Sequence, residues 1–305
     1  MKPETQSFYR AAVQAALDRI ALGLDEALDL GRLARAAALS PFHFHRIFRG
    51  MVGETPLELQ RRLRLERAAF QLFAPDTAVT SIAFDAGYES HEAFSRAFRA
   101  AYGCSPTEYR RARLAERTSC ARPPQIEIAA RSGIHFQPDG LREPFIIDQG
   151  ASMSVTIESM PELRTVTVRH VGAYNRISDA FARLGELAGR AGLITGKPTM
   201  LAIYHDDPEI TPESELRSDA ALVIDESSSI PNGLGERRLP AGRYACALHV
   251  GPYEQLGDAW ARFMGQWLPQ SGERLGEGTT FEVYLNTPMD VPKDELRTAL
   301  YIPLA

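Results

Sequence analysis

The sequence has no long hydrophobic run, few cysteines and no metal-binding motif. Its longest apolar stretches, such as residues 36–39, are far too short to span a membrane. Residues 1–6 contain no apolar signal core, so we expect neither secretion nor a membrane anchor. The three cysteines, Cys104, Cys120 and Cys246, are scattered and show no CxxC spacing. This pattern predicts a cytoplasmic protein without a structural zinc site.

The composition is otherwise that of a globular protein, but its charge is divided unevenly along the chain. The 305 residues are too many for one ordinary core and predict two domains or more. Residues 1–122 carry a net charge of +4 and residues 123–305 a net charge of −9, which together make the −5 of the whole chain. This division favours a polyanionic partner for the first part and a cationic ligand for the second.

Each half of the chain contains an internal repeat. Residues 44–61 share Phe, Arg, Phe, Arg, Gly, Pro and Arg with residues 94–111, at a constant spacing of 50. In the second half, the motif His-Val-Gly-x-Tyr begins at His170 and again at His249, a spacing of 79. The chain therefore consists of two unlike domains, each of them internally duplicated.

The stretch between the duplicated regions has the composition of a linker. It contains the turn signals Arg122-Pro123-Pro124 and Pro138-Asp139-Gly140. Residues 126–128 are either a short strand or an ordered arm. We therefore assign residues 8–117 to the first domain, 118–152 to a linker or arm, and 153–305 to the second domain.

The first domain has helical periodicity almost throughout, and its repeat predicts two helix-turn-helix units. Ser40 and Ser90 are expected to cap the second helix of each unit. Phe44, Ile47 and Phe48, at positions i, i+3 and i+4, should face the core. The same spacing in the second repeat predicts buried Phe94, Ala97 and Phe98.

The outward face of each second helix is predicted to contact DNA. Arg46 and Arg96 are expected to bond guanine, and Arg49 and Arg99 to bind phosphates. For any single arginine a solvated helix face explains the pattern equally well, but the repetition of core, cap and basic residues favours DNA. The predicted DNA-binding residues are Ser40, Phe42, His43, His45, Arg46, Arg49, Ser90, His91, Ser95, Arg96 and Arg99.

One set of residues resembles the second-motif signature of the AraC/XylS family of transcriptional regulators. The set is Gly87-Tyr88, Phe94, Arg96, Phe98, Gly103, Ser105-Pro106 and Tyr109-Arg110. The resemblance covers about residues 10–115. It implies seven helices, with a long helix over residues 56–73 joining two helix-turn-helix units that enter successive major grooves. Glu92 is an acidic residue among the side chains predicted to face the major groove. It either accepts a hydrogen bond from cytosine N4 or faces away from DNA.

The second domain is predicted to be α+β, with a β-α-β-β unit that occurs twice. The two units should form one antiparallel sheet backed by two helices. Strands are predicted at 154–158, 165–171, 199–204, 220–224, 243–250, 280–286 and 298–303, and helices at 174–191 and 253–268.

The repeated patterns of this domain resemble the GyrI-like effector domain, most tellingly over residues 281–288 (FEVYLNTP). The resemblance covers about residues 153–305 and implies that Glu282 is the acid of an aromatic pocket for lipophilic cations. The repeat places Ala202 at the position equivalent to Glu282. The predicted ligand-binding residues are Glu282, Tyr284, Tyr174, Tyr204, Tyr253 and Trp260.

Other interpretations of the same residues remain open. Glu282 could instead be a surface residue on an open sheet, or the general base of a small-molecule hydrolase. The domain could also be a protein-interaction module with an exposed aromatic surface. His170 and His249 recur in equivalent turns, which indicates a structural role, and residues 205–207 fit a solvated turn better than a metal site.

Taken together, the sequence predicts a DNA-binding regulator fused to a small-molecule sensor, a fusion of two families that resembles the Rob-like arrangement. We expect no catalytic residue, no cofactor and no metal. The expected partners are double-stranded DNA at promoter major grooves, a small-molecule effector and RNA polymerase, with no membrane. Because the DNA-binding domain is doubled, one chain is able to read both half-sites.

Overall fold

In the computed structural model the chain forms two compact units, and it confirms the predicted order of a helical part followed by an α+β part. The structure describes residues 3–116, 126–138, 140–142, 153–206, 208 and 211–305. The helical unit comprises Tyr9–Leu39 and Ile47–Asp148, and the sheet unit comprises Met1–Phe8, Ser40–Arg46 and Gln149–Ala305.

Seven helices lie within residues 3–116, as the resemblance implies. They are α1 Pro3–Leu22, α2 Leu30–Ala36, α3 Pro41–Val52, α4 Pro56–Gln71, α5 Val79–Asp85, α6 His91–Tyr102 and α7 Pro106–Glu116. Helix α4 begins at a reciprocal cap, in which the Thr55 hydroxyl accepts from the Glu58 N–H at 3.1 Å and the Glu58 carboxylate accepts from the Thr55 N–H at 2.8 Å. Helix α6 ends at Gly103, whose φ of 77° suits a residue without a side chain.

The inward faces of α3 and α6 match the predicted spacing. Phe94 and Phe98 of α6 are fully buried, with ring centroids 5.5 Å apart, although Ala97 is only partly buried. The equivalent Phe44 and Phe48 of α3 are also fully buried. Burial of each phenylalanine side chain stabilises the folded state by about 2–3 kcal/mol. This spacing therefore packs both helices against the core and leaves their other faces to polar residues.

Residues 126–138 and 140–142 of the predicted linker belong to the helical unit. Two short strands, β1 His135–Gln137 and β2 Gly140–Arg142, form a hairpin. The fully buried Glu66 of α4 accepts hydrogen bonds from the N–H groups of Ile128 and Phe136, at 2.9 and 2.8 Å. Residues 126–128 are not a strand, so the alternative that the structure adopts is the ordered arm. The rest of the linker lies outside the described residues.

Eight strands form one antiparallel sheet in the order β3-β8-β10-β9-β5-β6-β4-β7. They are β3 Val155–Met160, β4 Leu163–Val171, β5 Met200–Tyr204, β6 Arg217–Val223, β7 Gly235–Leu239, β8 Gly242–Val250, β9 Phe281–Tyr284 and β10 Arg297–Pro303. Strand β7 was not among the predicted strands, because its sequence Gly-Glu-Arg-Arg-Leu is charged in the manner of an edge strand.

The two repeats meet at the centre of the sheet. Strand β5 of the first repeat pairs with β9 of the second, with Ala202 directly opposite Glu282. Because these two positions are equivalent in the repeat, the pseudo-two-fold axis passes between them. At the outer ends the first strand of each repeat pairs with the other repeat, β3 with β8 and β7 with β4. The repeats therefore form one sheet rather than two side-by-side sheets.

The two predicted helices of the sheet unit are each divided. The first is a 3₁₀ turn, Tyr174–Arg176, followed by α8 Ser178–Arg190. The second is a 3₁₀ turn at Tyr253–Gln255 followed by α9, a π-helical turn and α10, which occupy Leu256–Arg262, Phe263–Trp267 and Leu268–Ser271. No helix among the described residues is long and apolar enough to cross a membrane.

Candidate functional site

Glu282 is a buried carboxylate at the centre of the sheet, not a residue of an open surface. Only 2% of it is exposed. One carboxylate oxygen accepts from the indole N–H of Trp260 at 2.6 Å, and the other accepts from the hydroxyl of Tyr284 at 3.0 Å. A buried carboxylate needs such partners because desolvation strongly disfavours its charge.

Four tyrosines are linked to this carboxylate through Tyr284. The hydroxyl oxygens of Tyr204 and Tyr284 lie 3.2 Å apart. Because Tyr284 donates to Glu282, its oxygen is left to accept, and Tyr204 is the donor of that pair. The ring centroid of Tyr174 lies 4.7 Å from that of Tyr204, and the ring centroid of Tyr253 lies 5.4 Å from that of Tyr284. The structure thus gathers all six residues predicted for the ligand site into one group, which we call the Glu282 cluster.

Phe181 of α8 also belongs to the Glu282 cluster, although its spacing along the helix is that of a core residue. Its ring centroid lies 5.5 Å from that of Tyr284 in an edge-to-face arrangement. The helical spacing of Phe181 with Leu184 is the same for a core residue and for a residue at a site wall, so the sequence carries no signal that separates the two.

Burial controls the protonation of the cluster. Desolvation raises the pKa of Glu282, and the Trp260 N–H, the positive charge of Arg46 and the Tyr284 hydroxyl oppose that rise. Burial also raises the pKa values of Tyr204 and Tyr284 well above 10. The phenols are therefore neutral donors at physiological pH, and Glu282 is the acid of the cluster.

Arg46, which the sequence assigns to guanine, lies beside the same cluster. Its guanidinium carbon is 4.4 Å from the centroid of the Trp260 ring and 4.1 Å from the centroid of the Phe42 ring. These distances are those of cation–π contacts. All three residues belong to the sheet unit, which includes Ser40–Arg46 at the start of α3. The sequence could not reveal this contact, because it joins positions more than two hundred residues apart.

The remaining predicted DNA contacts of α3 are less exposed than expected. Burial, followed by the charge of Arg46, lowers the pKa of His43 to about 4, so this imidazole is neutral at pH 7. The predicted outward orientation of His45 is wrong, because only 3% of it is exposed. The Ser40 hydroxyl accepts from the His43 N–H at 3.2 Å and caps the helix. Arg49 is partly buried.

Helix α6 presents its predicted residues more openly. Arg96 and Arg99 are exposed, and His91 and Ser95 are partly exposed. The Ser90 hydroxyl caps the helix by accepting from the Ala93 N–H at 3.1 Å.

The acid at the start of α6 takes part in capping the helix. Glu92 is exposed, and hydrogen bonds from its own backbone N–H and from Ser90 lower its pKa. Its carboxylate is thus engaged at the helix N-terminus, where negative charge is favourable.

The repeated histidines hold turns. A ring nitrogen of His170 lies 2.9 Å from the Ala173 carbonyl oxygen, and a ring nitrogen of His249 lies 3.2 Å from the Pro252 carbonyl oxygen. The equivalent bonds agree with a structural role in both repeats.

Residues 205 and 206 both have polar side-chain partners. Asp206 pairs with Arg217 at 2.7 Å, and His205 lies 2.7 Å from buried Asp219. Asp207 lies outside the described residues. Among the residues that the structure describes, no group of potential ligands could hold a metal ion.

These features define a helix-turn-helix DNA-binding protein that carries a small-molecule binding domain. Residues 33–112 match the helix-turn-helix domain family, and residues 153–305 match the family described as the GyrI-like small molecule binding domain. The protein belongs to the GyrI-like family through its second half, its first half is an AraC-type helix-turn-helix domain, and the whole is a transcriptional regulator.

Similar proteins include both regulators and a gyrase inhibitor. A DNA gyrase inhibitor of Yersinia enterocolitica is 36% identical over 135 residues, which cover 43% of this chain and 84% of that protein. The "SPbeta prophage-derived putative transcriptional regulator YosT" of Bacillus subtilis is 30% identical over 130 residues, 41% of this chain and 85% of that protein. Among solved structures, the EcmrR C-terminal domain is 20% identical with a TM-score of 0.44, and the match covers 50% of this chain and 98% of that one.

Proposed function

We propose that the sheet unit binds a lipophilic organic cation at Glu282 and thereby regulates transcription from promoters that the helix-turn-helix domain recognises. The observation that carries this proposal is the buried carboxylate of Glu282, which accepts hydrogen bonds from Trp260 and Tyr284, with further aromatic rings packed on Tyr284. A cation that enters the cluster offsets the desolvation of the carboxylate and gains the attraction of the ring faces. A neutral molecule of the same shape gains only the burial of its apolar surface.

The test compares a cation with its neutral isostere. Phenyltrimethylammonium and tert-butylbenzene have nearly the same shape and differ in charge. Trp260 lies in the cluster, so its fluorescence reports binding. We expect the wild-type protein to prefer the cation and Glu282→Gln to lose that preference. Glu277→Gln, which alters an exposed glutamate of the same unit, is the matched control and should keep it. An equal preference in Glu282→Gln and wild type would show that this carboxylate does not select the ligand.

The geometry favours sensing over hydrolysis. A general base takes a proton from a water molecule, whereas each oxygen of Glu282 already accepts a hydrogen bond from a side chain, which lowers its basicity. Mass spectrometry of the ligand recovered after incubation tests this point, and we expect it to be chemically unchanged. Turnover that Glu282→Gln abolishes would instead support the hydrolase.

The helix-turn-helix domain supplies the DNA-binding half of the proposal. We propose that α3 and α6 read the major groove, with Arg46 and Arg96 at base edges and Arg49 and Arg99 at phosphates. The protein then acts in the cytoplasm, where the chromosome lies, and its output passes to RNA polymerase. The test is affinity for a duplex selected by the protein from a random pool. Loss of Arg46 or Arg96 should each weaken that affinity by about 1–3 kcal/mol.

A further inference from the structure

The Glu282 cluster already holds a cation that belongs to the chain itself. The guanidinium carbon of Arg46 lies 4.4 Å from the centroid of the Trp260 ring. The N–H of that same indole donates to Glu282 at 2.6 Å. One tryptophan therefore binds the carboxylate through its edge and the guanidinium through its face.

The electrostatics of the cluster agree with this placement. The positive charge of Arg46 lowers the pKa of Glu282, against the larger effect of burial, and it also lowers the pKa of Tyr204. Arg46 thus presents to the cluster the two properties proposed for the ligand, a delocalised positive charge and a flat surface that stacks on aromatic rings.

We infer that Arg46 is an internal occupant of the Glu282 cluster, which an external cation displaces. This inference rests on the proposed function of the cluster as a cation site. One guanidinium cannot lie on the Trp260 ring and reach a base edge at the same time. Binding of the external cation therefore releases Arg46 for DNA, and the effector strengthens operator binding.

The duplicated DNA-binding domain supplies a matched control. Arg96 occupies the position of Arg46 in the second repeat, carries the same predicted role toward guanine, and is exposed. Arg46→Gln and Arg96→Gln therefore remove the same charge and the same predicted base contact, but only the first removes the occupant of the cluster.

The first experiment measures cation affinity without DNA. Isothermal titration with phenyltrimethylammonium is carried out on wild type, Arg46→Gln, Arg96→Gln and Glu282→Gln. Because an occupied site lowers the apparent affinity by the fraction of open protein, we expect Arg46→Gln to bind about tenfold more tightly than wild type. Arg96→Gln should lie within about twofold of wild type. Unchanged or weaker binding by Arg46→Gln would overturn the inference.

The control with Glu282→Gln separates this inference from the proposed function. If Glu282→Gln loses cation binding and Arg46→Gln behaves like wild type, the cation site stands and the internal occupant does not. If Glu282→Gln binds the cation as well as wild type does, the proposed function itself fails.

A second experiment does not depend on the folding of Arg46→Gln. The selected operator duplex is titrated with wild type and with Glu282→Gln, with and without saturating phenyltrimethylammonium. Coupling between two ligands is reciprocal. The cation should therefore raise the operator affinity of wild type by about the same factor by which Arg46→Gln binds the cation more tightly than wild type does. Glu282→Gln should bind the operator more tightly than wild type when no cation is present, and should not respond to it. An effector that weakens operator binding of wild type would contradict the inference.

Discussion

A second acid on the axis between the repeats should destabilise the sheet unit in a pH-dependent way. Ala202 is fully buried directly opposite Glu282, and directly opposed residues of antiparallel strands have Cβ atoms about 4.5–5.5 Å apart. Ala202→Glu therefore brings two carboxylates together. At about 4 Å and an effective dielectric constant near 20, they repel by about 4 kcal/mol. At most one of them then ionises.

The cost of keeping one of the two glutamates protonated at pH 7 is a destabilisation of similar size. A glutamate that stays protonated at pH 7 lies about 2.7 units above its ordinary pKa of about 4.3, which costs about 3.7 kcal/mol at 1.36 kcal/mol per unit. This figure is an upper limit, because burial already raises the pKa of Glu282 in the wild-type protein. Ala202→Gln adds the same volume without the charge. The difference between the two variants therefore isolates the repulsion from the overpacking of a buried alanine site.

Urea unfolding followed by tryptophan fluorescence measures this difference in the right part of the molecule. Both tryptophans of the chain, Trp260 and Trp267, lie in the sheet unit. At pH 7 Ala202→Glu should be less stable than Ala202→Gln by up to about 4 kcal/mol. A carboxyl whose folded pKa is raised destabilises above its unfolded pKa, so the gap should narrow as the pH falls toward 4. Equal stability of the two variants at pH 7, or a stability difference that widens in acid, would show that the two carboxylates do not repel each other.

Three further predictions concern the ligand, the arm and DNA. Because burial raises the pKa of Glu282, the cation affinity of Arg46→Gln, whose cluster contains no internal cation, should increase as the pH rises through that pKa, and binding should release protons; titration heats of this variant that do not differ between buffers of different ionisation enthalpy would contradict this. Glu66→Gln breaks the buried ion pair with Arg62 and should lower the free energy of unfolding by about 3 kcal/mol. Proteolysis of residues 126–138 should be faster in this variant than in Asp76→Asn, an exposed control. Equal cleavage of the two variants would show that Glu66 does not hold the arm. Arg96→Ala should relax sequence preference, whereas Arg99→Ala should weaken binding to all duplexes equally and reduce the salt slope by about one; electrophoretic shifts on operator and scrambled duplexes at several salt concentrations distinguish the two outcomes.

Local patterns were sufficient for most of the elements. Interactions within one or two helical turns explain the N-cap at Ser90 and the helix that it begins. They also explain why Phe94 and Phe98 face inward. Strand β7 was not predicted, because this edge strand forms by pairing with β4 and its own sequence does not alternate between apolar and polar residues. The π-helical turn at residues 263–267 could not be predicted, because the helical spacing of apolar residues continues through it.

The residue types of the candidate site were predictable, but the contacts among them were not. The sequence marks Glu282 because its repeat equivalent is alanine. That the two positions face each other across the axis depends on the register between β5 and β9. The inclusion of Phe181 and Arg46 in the cluster likewise depends on side chains that approach from distant parts of the chain.

Residue patterns were enough to predict two duplicated domains, their helical and α+β character and the family that each resembles, because periodicity, caps and repeats are local. Three features are visible only in the folded protein: the repeats exchange their outer strands, a single carboxylate lies on their axis, and Arg46 lies on Trp260. Such contacts join residues far apart in the chain. They are selected by the packing and electrostatic energy of the whole unit, which no local pattern records.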